Sequence, residues 1–147
     1  METVKVRVEL DILTHEDVEE HPFVNISVNG YPQWGEVCES SCTAEFSVDT
    51  NETNVLTVEY CNKDHLRDVV IQDGEIVADK RVTIQGISLD DIALDFHAFD
   101  EPSTLSYESF DPEGVNAQGY DATKLSWNGR TTLKFSSPIY IWLLENL

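Results

Sequence analysis

Val4-Lys5-Val6-Arg7-Val8-Glu9-Leu10-Asp11-Ile12 places an aliphatic side chain at every even position and a charge at every odd one. A period of two is that of a strand with one buried face, so the chain opens on a long, half-buried β-strand. The same alternation returns at residues 23–28, 43–48 and 55–60, and the first of these stops at Asn29-Gly30, a two-residue turn signal. Residues 68–71 and 75–78 flank Asp73-Gly74 as a further hairpin. Residues 82–94 carry a β pattern through Gly86, where a bulge or close packing is expected. Residues 124–127 and 131–135 flank Asn128-Gly129, which predicts a type I′ hairpin pairing Leu125 and Trp127 with Leu133 and Phe135. Helical periodicity is almost absent. The spacing predicts an all-β chain, a single antiparallel β-sandwich of jelly-roll type over residues 1–147.

Three segments interrupt the pattern. Residues 14–21 are acidic and polar and read as a loop with room for one helical turn. Residues 100–120, punctuated by Pro102, Pro112, Gly114 and Gly119, read as a long loop, the kind that carries contacts or function. The C-terminal part, 121–147, combines the Asn128-Gly129 hairpin with an apolar tail. In that tail Ile139, Ile141 and Leu143 alternate with Tyr140, Trp142 and Leu144, so a strand here is apolar on both faces. It is either a central strand or one whose outer face meets another subunit, which makes all six residues interface candidates.

Charge narrows the function. Nine Lys and Arg stand against 28 Asp and Glu, a net −19. Such a surface repels phosphate backbones and anionic leaflets, so nucleic acid is excluded as a partner and membrane insertion is not expected. Solubility, cation binding, docking onto a basic surface and a salty medium all remain open. The longest apolar run is the six residues 139–144, too short to span a bilayer, and the N-terminal alternation lacks a secretory apolar core. Synthesis in cytoplasm without cleavage is the expectation.

Chemistry-bearing motifs are sparse. There is no phosphate-binding glycine loop, no nucleophile elbow and no His-Glu-x-x-His, and the chain reads as a non-enzyme. Adjacent acids such as Asp90-Asp91 suit glycoside hydrolysis, but 28 acids bring pairs together by chance. Cys38, Cys42 and Cys61 are odd in number, against a disulfide framework; Cys38-x-x-x-Cys42 is either half a zinc site completed by Cys61 or His21, or a pair of incidental thiols. Asn62, Asp64 and Asp68 offer hard oxygens at close spacing between strands, which suits Ca²⁺, although Lys63 and Arg67 partly neutralise the segment and an ordinary polar loop reads as well. Tyr31 and Trp34, in a polar stretch, are candidates to stack on a sugar ring or anchor a protein contact. Trp127 and Trp142 read as core or interface.

Two resemblances follow from these segments. Residues 55–60, then Asn62-x-Asp64, Arg67-Asp68-Val69 and a strand at 82–92, resemble calcium-dependent carbohydrate-binding modules of the xylan-binding β-sandwich type, with the hairpin at Asp73-Gly74 as a departure. That resemblance implies the sandwich, bound Ca²⁺ and a glycan ligand. The segments at 73–79, 87–92, Trp127-Asn128-Gly129 and 138–147 are similar, in order and spacing, to small β-sandwich proteins of tailed bacteriophages of marine and cyanobacterial hosts. This second likeness implies a non-enzymatic virion protein, decorating the capsid or forming part of the tail or a fibre, with other virion proteins as partners. The alternative is a calcium-dependent module that attaches to a host-surface glycan.

Overall fold

The computed structural model describes residues 2–14, 20–64, 68–99 and 104–146, and of Val77 and Ala78 the backbone alone. Its strands are β1 (Thr3–Thr14), β2 (Phe23–Val28), β3 (Tyr31–Val37), β4 (Cys42–Asp49), β5 (Thr53–Tyr60), β6 (Val70–Gln72), β7 (Glu75–Ala78), β8 (Lys80–Leu89), β9 (Ile92–Ala93), β10 (Leu105–Ser109), β11 (Ala117–Gln118), β12 (Lys124–Leu125) and β13 (Gly129–Ser136). One α-helix, α1 (Ile139–Asn146), closes the chain, and short 3₁₀ turns lie at Phe96–Ala98 and Gly119–Thr123. One sheet runs β12-β8-β1-β4 with β9 beside β8, and the other runs β11-β10-β13-β5-β2-β3, every pairing antiparallel. The two sheets form the antiparallel sandwich that the alternation predicts.

The core is built from that alternation. Val4, Val6, Val8 and Leu10 of β1 are buried, as are Val24, Ile26 and Val28 of β2 and Leu56, Val58 and Tyr60 of β5. Burying such aliphatic side chains contributes ~1.5–3 kcal/mol each, so the period of two is the main stabilising term. The turn readings at Asn29-Gly30 and Asp73-Gly74 hold, with both residues of each at positive φ, 53° and 83° in the first and 55° and 81° in the second. At Gly86 the β1–β8 register shifts, and an added Cβ would meet Glu9 Oε2 at 3.1 Å, so bulge and close approach coincide.

Three expectations are corrected. Residues 100–120 are not one long loop: Leu105–Ser109 is a strand between β13 and β11, with Leu105 and Tyr107 buried. Residues 100–103, like 15–19 of the acidic segment, lie outside the described residues. The Asn128-Gly129 dipeptide makes no hairpin. β12 pairs with β8, β13 pairs with β10 and β5, and Gly129 is not among the positive-φ glycines. It is needed for closeness instead, since a Cβ there would run into the Glu108 carbonyl and lie 2.6 Å from Tyr107 Oη. Gly129→Ala is therefore expected to cost ~1–3 kcal/mol through overpacking in a denaturant melt, and an unchanged midpoint would contradict this packing.

The third correction is the tail, a helix rather than a strand. Ile139, Trp142 and Leu143 are buried at positions i, i+3 and i+4, and Trp142 packs on Phe99 and Phe135 with ring centroids 6.2 Å away in each case. An all-apolar run satisfies either period, so local pattern could not choose between them. The deciding contacts are non-local: Glu2 Oε1 accepts from the Ile139 N–H at 2.9 Å and from Ser137 Oγ at 2.5 Å, a carboxylate capping the helix N-terminus. Ile139, Trp142 and Leu143 thus belong to the protein's own core and are not an interface, while Tyr140, Ile141 and Leu144 remain exposed. No helix among the described residues is long and apolar enough to cross a membrane.

Candidate functional site

The sandwich brings two distant stretches together, residues 61–64 after β5 and Ser126-Trp127-Asn128 before β13. The Asn128 amide clamps Lys63 from both sides, accepting from its N–H at 2.8 Å and donating to its carbonyl at 2.8 Å. Lys63, almost fully buried, reaches on to the Ser126 carbonyl at 2.6 Å and to Asp79 Oδ1 at 2.6 Å. Asp79 also holds Arg81 through a 3.2 Å contact to Nε. Charged hydrogen bonds inside a poorly solvated wall are stronger than their exposed counterparts, so this lattice fixes its members in place.

Beneath it lies a buried ion pair. Lys80 and Asp68 are both fully buried; Lys80 Nζ donates to the Asn62 carbonyl at 2.7 Å and lies 3.4 Å from Asp68 Oδ2. Asp68 Oδ2 also accepts from the Asp64 N–H at 2.8 Å. Tyr60 donates its hydroxyl to the Lys80 carbonyl at 3.0 Å, and burial, with Asp68 and Asp79 nearby, pushes its phenol well above the usual range. Tyr107 donates to the Trp127 carbonyl at 2.8 Å, and burial raises its phenol to about 12. Both tyrosines stay neutral donors at physiological pH, holding the strand ends that frame the site.

Above the lattice opens a cleft of about 400 Å³, between Trp127 and the hairpin β6–β7. Its apolar wall is Trp127, Val69, Ile71 and Ile76; its polar rim is Lys63, Asp79, Arg81, Glu113 and Ser126. Ile71 and Ile76 are exposed on a hairpin outside both main sheets, and Gly114 lets the 111–116 turn press against the indole, where a Cβ would lie 3.1 Å from Trp127 Cγ. The arrangement offers an aromatic and aliphatic surface ringed by fixed charges of both signs.

The predicted calcium ligands sit beside this cleft but are not gathered as a shell. Asn62 Oδ1 accepts from the Phe23 N–H at 2.9 Å and its Nδ2 donates to the His21 carbonyl, while Asp68 faces the Lys80 ammonium. A cation of the protein's own already stands where Ca²⁺ would need these oxygens, so Asn62, Asp64 and Asp68 do not fit the ion as a set. Among the described residues no group of three His, Cys, Asp or Glu is placed to hold a metal. Arg67 lies outside the described residues.

Tyr31 and Trp34 fall on β3, an edge strand the polar composition did not signal, and they part company. Tyr31 is 73% exposed and lines a shallow cavity of about 300 Å³ with Asn29, Gln33, Asp49 and Asn51, whereas Trp34 packs against the core. Trp127, whose sequence reading is core or interface, packs against the core and also faces the cleft of about 400 Å³. The turn signal of the adjoining Asn128-Gly129 hides this role in the sequence.

No protein-family model matches the sequence, and no curated protein is similar to it in sequence. Solved structures share its fold. The carbohydrate-binding module vCBM60 in complex with galactobiose superposes over 88% of this chain and 96% of its own, with a TM-score of 0.53 at 12% identity. The selenomethionine form of vCBM60, described in connection with two families of calcium-dependent carbohydrate-binding modules, covers 88% and 89%, with a TM-score of 0.50 at 13% identity. The fold is the β-sandwich of these modules.

Proposed function

We propose that this chain is a non-catalytic carbohydrate-binding module whose glycan lies in the cleft between Trp127 and the β6–β7 hairpin. The observation that carries the reading is the pairing, in one cleft, of an indole with Asp79, Arg81 and Glu113. A pyranose presents an apolar C–H face and a rim of hydroxyls, and these match a stacking surface edged by acceptors and donors. The volume falls within the ~300–1,000 Å³ of ordinary ligand pockets. The fold shared with a module bound to galactobiose supports the same reading.

The test is a glycan-array screen, followed by calorimetry with the best-binding oligosaccharide. Trp127→Ala is expected to weaken binding roughly 10- to 30-fold, about 1.4–2 kcal/mol, while Tyr31→Ala leaves it unchanged. Thermal melts of both variants establish that each is folded. Because Lys80 and the backbone already take the oxygens of Asn62 and Asp68, affinity is expected to be equal in calcium and in chelator. Loss of binding in Tyr31→Ala alone would move the site to the other cavity, and release of reducing ends from the oligosaccharide would overturn the non-catalytic reading.

The exposed face of α1 favours a second reading, attachment to a larger assembly such as a virion. Tyr140, Ile141 and Leu144 are 57%, 54% and 82% exposed on one short helix. Mass spectrometry of purified particles tests it, and absence of the chain from them would remove it.

A further inference from the structure

We propose that Cys38 and Cys42 form a reversible disulfide that clasps the two sheets of the sandwich at their shared edge. β3 is the outer strand of the six-stranded sheet and β4 the outer strand of the five-stranded one, and residues 38–41 carry the chain from one to the other. Cys38 is buried at the end of this seam, its N–H donating to the Pro22 carbonyl at 2.8 Å. Cys42 begins β4 and is half-buried. Their sulfurs are 3.0 Å apart, with the Cys42 thiol directed at Cys38 Sγ. Side chains already aimed at each other need little backbone movement to bond, which is the usual obstacle to closing a disulfide. The odd count that argued against a disulfide framework is resolved by Cys61, exposed and in a different segment.

The two sulfurs have unequal roles. Burial, with Cys42 beside it, pushes the Cys38 thiol well above the ordinary range, so Cys38 is not the first nucleophile. Cys42, the more accessible, attacks one sulfur of a small-molecule disulfide R–S–S–R. The R–S–S–R bond breaks, a Cys42–S–S–R bond forms, and one RSH departs with the proton that Cys42 released. Cys38 then gives up its proton as its sulfur attacks Cys42 Sγ, expelling the second RSH. Two protein thiols are oxidised and one external disulfide is reduced to two thiols.

The test needs only the unmodified protein, held with excess oxidised glutathione or with a reductant and then alkylated. The chain has three cysteines, so the reduced form should take three labels, whereas in the oxidised form Cys38 and Cys42 should take none and carry no glutathione, the exposed Cys61 alone being glutathionylated. Cleavage after Glu39 separates Cys38 from Cys42, and the oxidised digest should contain those two peptides linked. The oxidised protein should melt higher by on the order of 5 °C. Cys61→Ser should close as the wild type does, taking two labels when reduced and none when oxidised, and Cys42→Ser should keep Cys38 alkylatable. Three labels after oxidation, a glutathione adduct persisting on Cys42, or a link to Cys61 would each overturn the proposal.

Discussion

Asp68→Ala is expected to lower the melting temperature by roughly 6–20 °C, from ~3–5 kcal/mol of lost stability at ~2–4 °C per kcal/mol for a domain of this size. The variant removes a carboxylate from a site where neither partner touches solvent and leaves the Lys80 ammonium hydrogen-bonded to the Asn62 carbonyl at 2.7 Å. An ammonium stranded in a dry interior carries its desolvation cost without the compensating charge. Lys80→Met is expected to be destabilising too, by less, because Asp68 still receives the Asp64 N–H. The double variant Asp68→Ala, Lys80→Met removes both charges and should lose less than the two single losses added together. Such non-additivity marks a coupled pair, and strictly additive losses would show that the two groups do not interact. If the cleft holds a glycan as proposed, its affinity should fall with Asp68→Ala as well, because Lys63, on the segment that Asp68 and Lys80 hold down, forms part of the polar rim of the cleft.

The first strand and two of the hairpins were legible because their causes are local. Val4 to Leu10 alternate, and Asn29-Gly30 and Asp73-Gly74 adopt the left-handed pair of angles that those residues tolerate best. The same dipeptide at Asn128-Gly129 misleads because its amide serves Lys63, 65 residues away in sequence, and its glycine serves Tyr107 and Glu108. Nothing in the neighbouring residues distinguishes the two uses. The strand at Leu105–Ser109 was masked by the Pro and Gly on either side, although its buried Leu105 and Tyr107 keep the period of two. At the candidate site, the Asn62 and Asp68 oxygens that read as calcium ligands in sequence are taken up within the protein itself. The Asn62 carbonyl and Asp68 meet the ammonium of Lys80, which looks in sequence like one more charge before a strand.

Removing residues 139–147 is expected to abolish cooperative unfolding altogether. The truncation takes away Ile139, Trp142 and Leu143, all buried, and bares the faces of Phe99 and Phe135 that Trp142 covers. Large-to-small losses in a core cost ~2–5 kcal/mol each, so three together match the ~5–15 kcal/mol by which a domain is stable. Glu2, too, loses the Ile139 N–H at the helix start, while its backbone carbonyl stays bonded to Thr50. Trp142→Ala gives a graded version that keeps the helix, with an expected fall of roughly 6–20 °C in melting temperature from ~3–5 kcal/mol. The exposed face separates stability from assembly: Leu144→Asp changes a side chain that is 82% exposed and should melt as the wild type does. If α1 also meets a partner, that variant stays folded and fails to assemble, because a charge would enter the apolar contact. A truncated chain that still melts cooperatively near the wild-type temperature would show that α1 is not part of the core and would return the tail to the surface.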